Sequence, residues 1–458
     1  MERNNVLQRA GVLPGITSDD PAARYDATKR CRLLLCQDEN QETVQQVLDA
    51  DVLPRLLQSM SLQEDKPELT FESCWALSSM ASCGSSSQLQ ALVERGALPT
   101  LINLLSSSNP QLQEQACTAI GFIAKAGEQL RDHCLASGAL DAVVASLTHC
   151  GQLSVLRQAA WTLSILCSHN LRDSASSPAN WGFVKKALPT LCRLLYSQDE
   201  EVLTDTTWAL AYLTDERRAN QLDEVTQAGV VRPLMQLAKT SRSTAVLCPV
   251  VKILANFADG HDLHRQLLLN QGLLPLLSSS LLAHPKISIQ VDAFRALANM
   301  ATGNGDQLQA ILDSNLWSCL VTSLEAGGPL VGGTPVDPRV RKEIVRAIHN
   351  FASACHSSQL LRILSSSLIQ ALCDLLDFRN RAVEDTVLQT VLETLEHLLP
   401  AHEAVAELIE SAGGLDWIEE LQAHQNNEIY ETALRILETY YVGEEEEEDE
   451  AMEGFVVL

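Results

Sequence analysis

Short runs of apolar residues at helical spacing alternate along this chain with polar breaks, and one helical phrase returns seven times. It reads FESCWALSSMA from Phe71, EQACTAIGFIA from Glu114, RQAAWTLSILC from Arg157 and DTTWALAYLTD from Asp205. It continues as CPVVKILANFA from Cys248, VDAFRALANMA from Val291 and KEIVRAIHNFA from Lys342. Each repeat shares a grammar: a Gly turn, a Pro-containing apolar helix such as GALPTLINLL from Gly96, a polar break such as SSSNPQ, then the phrase. With the residue aligned to Trp75 as a ruler, the marks fall at Thr118, Trp161, Trp208, Lys252, Arg295 and Arg346.

Most steps between marks are therefore about 43 to 47 residues, the period of armadillo and HEAT units and well above the roughly 33–34 of ankyrin and tetratricopeptide units. The last step is lengthened by the Gly- and Pro-rich stretch 327–338, which is expected to be a loop excursion. The expected fold is all-α, a right-handed superhelical armadillo-repeat solenoid. A hydrophobic fraction of 46% with only 4% aromatic residues suits helix-on-helix packing of small side chains. At 458 residues the chain could hold about three globular domains, but a repeat array grows by nearest-neighbour stacking and needs no such division.

Several classes of function are disfavoured. No run of 18 or more apolar residues is present and MERNNVLQRAGVLPG lacks the apolar core of a secretory signal, so no membrane association is expected. The thirteen cysteines are scattered without a CxxC pair, which predicts reduced, mostly buried thiols and no metal or other cofactor. HExxH, GxSxG and phosphate-loop patterns are missing, so an enzyme is not expected. A net charge of −25 should repel nucleic acid and draw in basic partners. Much of it lies in the tail GEEEEEDE from Gly443, expected to be solvated and disordered.

FESCWALSSMA, WTLSILC, DTTWALAYLTD and above all SAGGLDWIEELQAHQNNEIYETALRILETYY with the acidic run after it resemble the importin α family. The likeness runs from about Gly11 to the C-terminus. It implies about ten repeats over residues 11–441, a short arm over 1–10 and an acidic tail over 442–458. It also implies that third helices line a groove for Lys/Arg-rich nuclear localisation signals of cargo proteins. The last repeat, Gly413 to Tyr441, would meet an export receptor, and the protein would occupy cytoplasm and nucleus. Arg3 and Arg9 do not supply the charge of the family's basic N-terminal segment, so the resemblance gives no support to importin β as a partner.

The chemistry of such a groove can be argued from residue types alone. A Trp and an Asn four residues later share a helical face; the indole sandwiches a Lys or Arg, and the Asn amide holds a peptide backbone. Here the first three pairs read Trp75 with Ser79, Thr118 with Phe122 and Trp161 with Ile165, and Ala126 stands where the family has an Asp. The fourth phrase fits better, with Trp208, Tyr212 and the acids Asp205 and Asp215. The last three keep Asn256, Asn299 and Asn350, but Arg295 and Arg346 replace Trp, and Asp292 and Glu343 precede them by three residues, a spacing that predicts ion pairs on one helix. The candidate peptide-binding residues are thus Trp75, Trp161, Trp208, Asp205, Asp215, Asn256, Asn299 and Asn350. For the tryptophans the competing reading is core packing; for the asparagines it is a hydrogen bond between helices. Two functions follow: a nuclear-import adaptor, or an armadillo scaffold that assembles protein partners without carrying cargo.

Overall fold

The computed structural model describes residues 6–38, 41–61, 66–149, 151–168, 178–215, 219–325, 336–378 and 383–441. The described residues are helical and contain no strand. The 1–10 arm lies partly, and the stretch 327–335 and the acidic tail from residue 442 lie wholly, outside them. They contain no single helix long and apolar enough to cross a membrane.

Two short helices and one long one recur, and the seven phrases lie on the long third helices. These are α1 (Pro21–Asp38), α2 (Pro67–Cys83), α3 (Pro110–Lys125), α4 (Leu153–Cys167) and α5 (Glu200–Thr214), followed by α6 (Thr244–Ala258), α7 (Ile287–Met300), α8 (Pro338–Ala354), α9 (Asp385–Leu398) and α10 (Asn427–Tyr440). Their starts are specified locally. Asn109, Asp199, Asp337 and Asn426 cap α3, α5, α8 and α10, each side chain accepting a backbone N–H of the first turn. Pro67, Pro110 and Pro338 open their helices, where the missing N–H costs nothing.

The chain divides into two compact units, Met1–Pro233 and Leu234–Leu458. In the first, α1 to α5 pack in succession; in the second, α6 to α10 do the same. One register explains both rows. Counting from the ruler residue, the positions one, two and five further on are buried in all seven phrases: Ala76, Leu77 and Met80 in the first, Ile253, Leu254 and Phe257 in the fifth, Ala347, Ile348 and Phe351 in the last. Burying one such trio removes apolar area at about 25 cal/mol per Å², so neighbouring helices hold each other in place without a central core.

A second stitch repeats at the first helices. Gln88, Gln307 and Gln359 each close a capping box at their own helix start and then donate from Nε2 to a carbonyl one repeat earlier, on Gln41, Asp262 and Gly305, at 2.8, 2.9 and 3.0 Å. These glutamines satisfy backbone groups of two repeats at once. Among the described cysteines six of twelve are buried, half rather than most, and burial pushes the thiols of Cys31, Cys74 and Cys167 up to about 12, which keeps them protonated.

Candidate functional site

With the following one, two and five positions sealed into the stack, the ruler residue must point away from it. Trp75, Thr118, Trp161 and Trp208 in the first unit, and Lys252, Arg295 and Arg346 in the second, are all half-buried. The three tryptophans are thus partly exposed on the third-helix rows, neither sealed into the stack nor free of packing contacts.

Their surroundings differ. Trp75 is already covered by a cation of its own chain: the Arg32 guanidinium lies 4.1 Å from the indole centroid, and Arg32 Nε donates to Glu72 Oε2 at 2.7 Å. Both partners are nearly enclosed, at 10% and 8% exposure, so this pair is held in a low-dielectric setting. Phe71 tilts against the same indole at 5.5 Å. Thr118 turns its hydroxyl to the Glu114 carbonyl one turn back, at 2.9 Å.

Trp161 lies across the preceding third helix. A Cβ on Gly121 would stand 2.2 Å from its ring, so only glycine admits the indole, and Phe122, one turn after Thr118, packs against it at 5.1 Å. Trp208 and Tyr212 pair one turn apart on α5 at 5.9 Å. Asp205 is half-buried and has no hydrogen-bond partner among the described residues; burial, and then the nearby Glu201, pushes its carboxyl up to about 6. Burial raises the Tyr212 phenol as well, followed by the charges of Asp205 and Asp215, which places both acids around it. Trp208, Tyr212, Asp205 and Asp215 thus form one aromatic and acidic cluster.

The second unit is built the other way. Asn299, 5% exposed, donates to the Ala255 carbonyl at 2.9 Å and accepts from Arg346 Nη1 at 2.9 Å. Asn350 donates to the Ala298 carbonyl at 2.8 Å, and Asn256 accepts from Arg295 Nη2 at 3.4 Å. The ion pairs expected from i, i+3 spacing are present: Arg295 with Asp292 at 3.0 Å and Arg346 with Glu343 at 2.7 Å. Each arginine bridges its own helix to the one before, and the asparagines hold the helices together. This is the inter-helix role that competed with peptide clamping.

Elsewhere, Trp181 donates its indole N–H to Glu224 at 3.1 Å and Trp317 packs edge-on against Phe351 at 5.3 Å, both filling gaps between helices. Tyr430 is exposed and Trp417 half-buried on the last repeat. Sequence reasoning missed Arg32, although it stands one 43-residue step before Trp75 and the ruler run backwards would have found it. It also missed the reach of Arg346 to Asn299, 47 residues earlier.

Comparison with known proteins matches these features. The armadillo/β-catenin-like repeat fits residues 40–82, 85–124 and 177–215, and an atypical armadillo repeat fits 403–454. An engineered protein of known crystal structure superposes with a TM-score of 0.80 at 25% identity, covering 95% of this chain and 98% of its own. Importin subunit alpha-1a of Oryza sativa subsp. japonica is 35% identical over 451 residues, covering 95% of this chain and 80% of the relative. Importin subunit alpha-3 of Arabidopsis thaliana is 36% identical over 449 residues, with 95% and 80% covered. With this identity across most of both lengths and armadillo units along the chain, the protein belongs to the importin α family.

Proposed function

We propose that this protein is a nuclear-import adaptor that moves between cytoplasm and nucleus and holds a Lys/Arg-containing signal peptide of its cargo at α4 and α5. In this reading residues 11–441 form the repeat array, and Trp161, Trp208, Asp205 and Asp215 carry the contact. The observation that carries it is the cluster on α5: half-buried Trp208 beside Asp205, an acid with no hydrogen-bond partner among the described residues. A lysine there gains cation–π attraction of about 0.5–2 kcal/mol and a charge-assisted hydrogen bond of about 1.5–3 kcal/mol. Membership of a family of transport and scaffold proteins makes this a binding protein and not an enzyme.

Recognition in this reading is narrower than a run of aromatic pockets would give. Trp75 is covered by Arg32, Thr118 offers no ring, and Asn299 and Asn350 are already bonded to the preceding helix. One strongly held cation, with weaker flanking contacts, is the expected pattern. The last repeat is the proposed surface for an export receptor.

Fluorescence anisotropy with a labelled Lys-rich signal peptide tests this directly. Trp161→Ala and Trp208→Ala should each weaken binding about tenfold. Unchanged affinity in both variants would overturn the α4–α5 site and leave the scaffold reading.

A further inference from the structure

We propose that the adjacent third helices α7 and α8 form an acid-binding strip, and that its occupant is this chain's own run of seven consecutive acids, Glu444 to Glu450. The inference does not depend on how the α4–α5 cluster is read.

The strip is defined by charge and exposure. On α7 and α8 five cations, Arg295, Arg339, Arg341, Lys342 and Arg346, stand against two acids, Asp292 and Glu343, in a chain whose net charge is −25. Arg339 and Lys342 are also paired with Asp337 and Glu384 beside them, which leaves the two ruler arginines as the anchors. The two arginines at its centre are fixed in advance. Arg346 donates to Glu343, Asn299 and the Arg295 carbonyl, three acceptors for five N–H groups, while its side chain keeps 36% exposure. Arg295 is held by Asp292, Asn256 and the Lys252 carbonyl at 27% exposure. A guanidinium fork locked by its own helix and the one before loses little freedom when it takes a carboxylate. A lysine approaching the same place meets like charge.

Charge and reach together select the occupant. The acidic run begins three residues after Tyr441, where α10 has ended, in the same unit as the strip. Stacked helices lie about 8–10 Å apart, so α8 is about 20 Å and α7 about 30 Å from α10. Extended chain covers about 3.3 Å per residue, so the nine residues from Tyr441 to Glu450 span about 30 Å. The intervening helices favour passage over collapse. Glu393 and Glu396 on α9 and Glu428, Glu431 and Glu438 on α10 repel the run, and the cations α9 and α10 carry between them come down to Arg435, which is already paired with Glu396.

The test uses the full chain and a fluorescein-labelled octaglutamate peptide as probe, at low ionic strength. Replacing Glu444–Glu448 and Glu450 by Gln and Asp449 by Asn removes the tethered competitor, so the probe should bind about tenfold tighter than to the unmodified protein. Adding Arg295→Gln and Arg346→Gln to the same chain should abolish that gain. Equal affinity of the probe for unmodified and tail-neutralised protein overturns the proposal, as does a gain that persists without the arginines. Far-UV circular dichroism checks that the double-Gln variant folds; if it does not, Arg295→Leu and Arg346→Leu, which keep the aliphatic stem volume, carry the same comparison. The Lys-rich peptide, titrated against the same proteins, reports on α4–α5 separately, so loss of that binding leaves this result standing.

Discussion

Asp205 shows how one residue can serve binding at the expense of stability. Its folded carboxyl lies at about 6, above the usual carboxylate value, so the folded state holds a proton more tightly than the unfolded chain does. The sign follows. Ionised Asp205 destabilises the fold above pH 6, the penalty fades as pH falls through that value, and none remains near pH 4. Asp205→Asn should therefore stabilise the protein at pH 7.5 by about 1 kcal/mol, less than the full shift implies because the carboxylate keeps contact with water, and should give no gain at pH 4. Urea titrations at the two pH values measure this. The same variant should bind the Lys-rich peptide about tenfold more weakly at pH 7.5, and the unmodified protein should lose affinity as pH drops below 6. Glu72 is the opposite case. Glu72→Gln leaves Arg32 enclosed against Trp75 without its charge partner and should cost about 3 kcal/mol in the same titration.

At the scale of helices the sequence was most legible where a position has one physical option. The phrase spacing located the third helices because burial one, two and five residues after the ruler repeats without exception. The ion pairs of Arg295 and Arg346 followed from spacing on a single helix. Contacts between helices were not legible in the same way. An Asn amide offers the same donor and acceptor to a peptide or to a neighbouring carbonyl, and nothing in Asn299 alone says that Ala255 and Arg346 will take both. Gly121 is a similar case: within its helix it reads as a weak point, and only the indole lying on it gives the reason. Alanine is favoured over glycine in a helix interior by about 1 kcal/mol. Gly121→Ala should nonetheless destabilise the protein, because a Cβ 2.2 Å from the Trp161 ring forces the indole off its seat. A red shift in tryptophan emission with a lower unfolding midpoint is the expected result; a higher midpoint with unchanged emission would show that the helices separate freely.

Charge acts on the molecule as a whole, and it separates the approach of a basic peptide from its retention. With a net charge of −25, to which Glu444–Glu448, Asp449, Glu450 and Glu453 contribute, the field draws cations in from beyond contact distance. Trp161 and Trp208 act only after contact, since cation–π attraction needs a separation within about 6 Å. The two effects should therefore divide between rate constants. Neutralising the acidic run should lower the association rate of the Lys-rich peptide several-fold at low ionic strength and leave its dissociation rate unchanged. Trp161→Ala should do the reverse, speeding dissociation about tenfold with association unaffected. Raising the salt towards 0.15 M shortens the Debye length to about 8 Å, so the association rates of unmodified and tail-neutralised protein should converge while the Trp161→Ala defect persists. Stopped-flow fluorescence across ionic strength resolves both constants. A dissociation rate that moved with the tail charge would mean that the acids touch the bound peptide, and the division between long-range field and aromatic contact would fail.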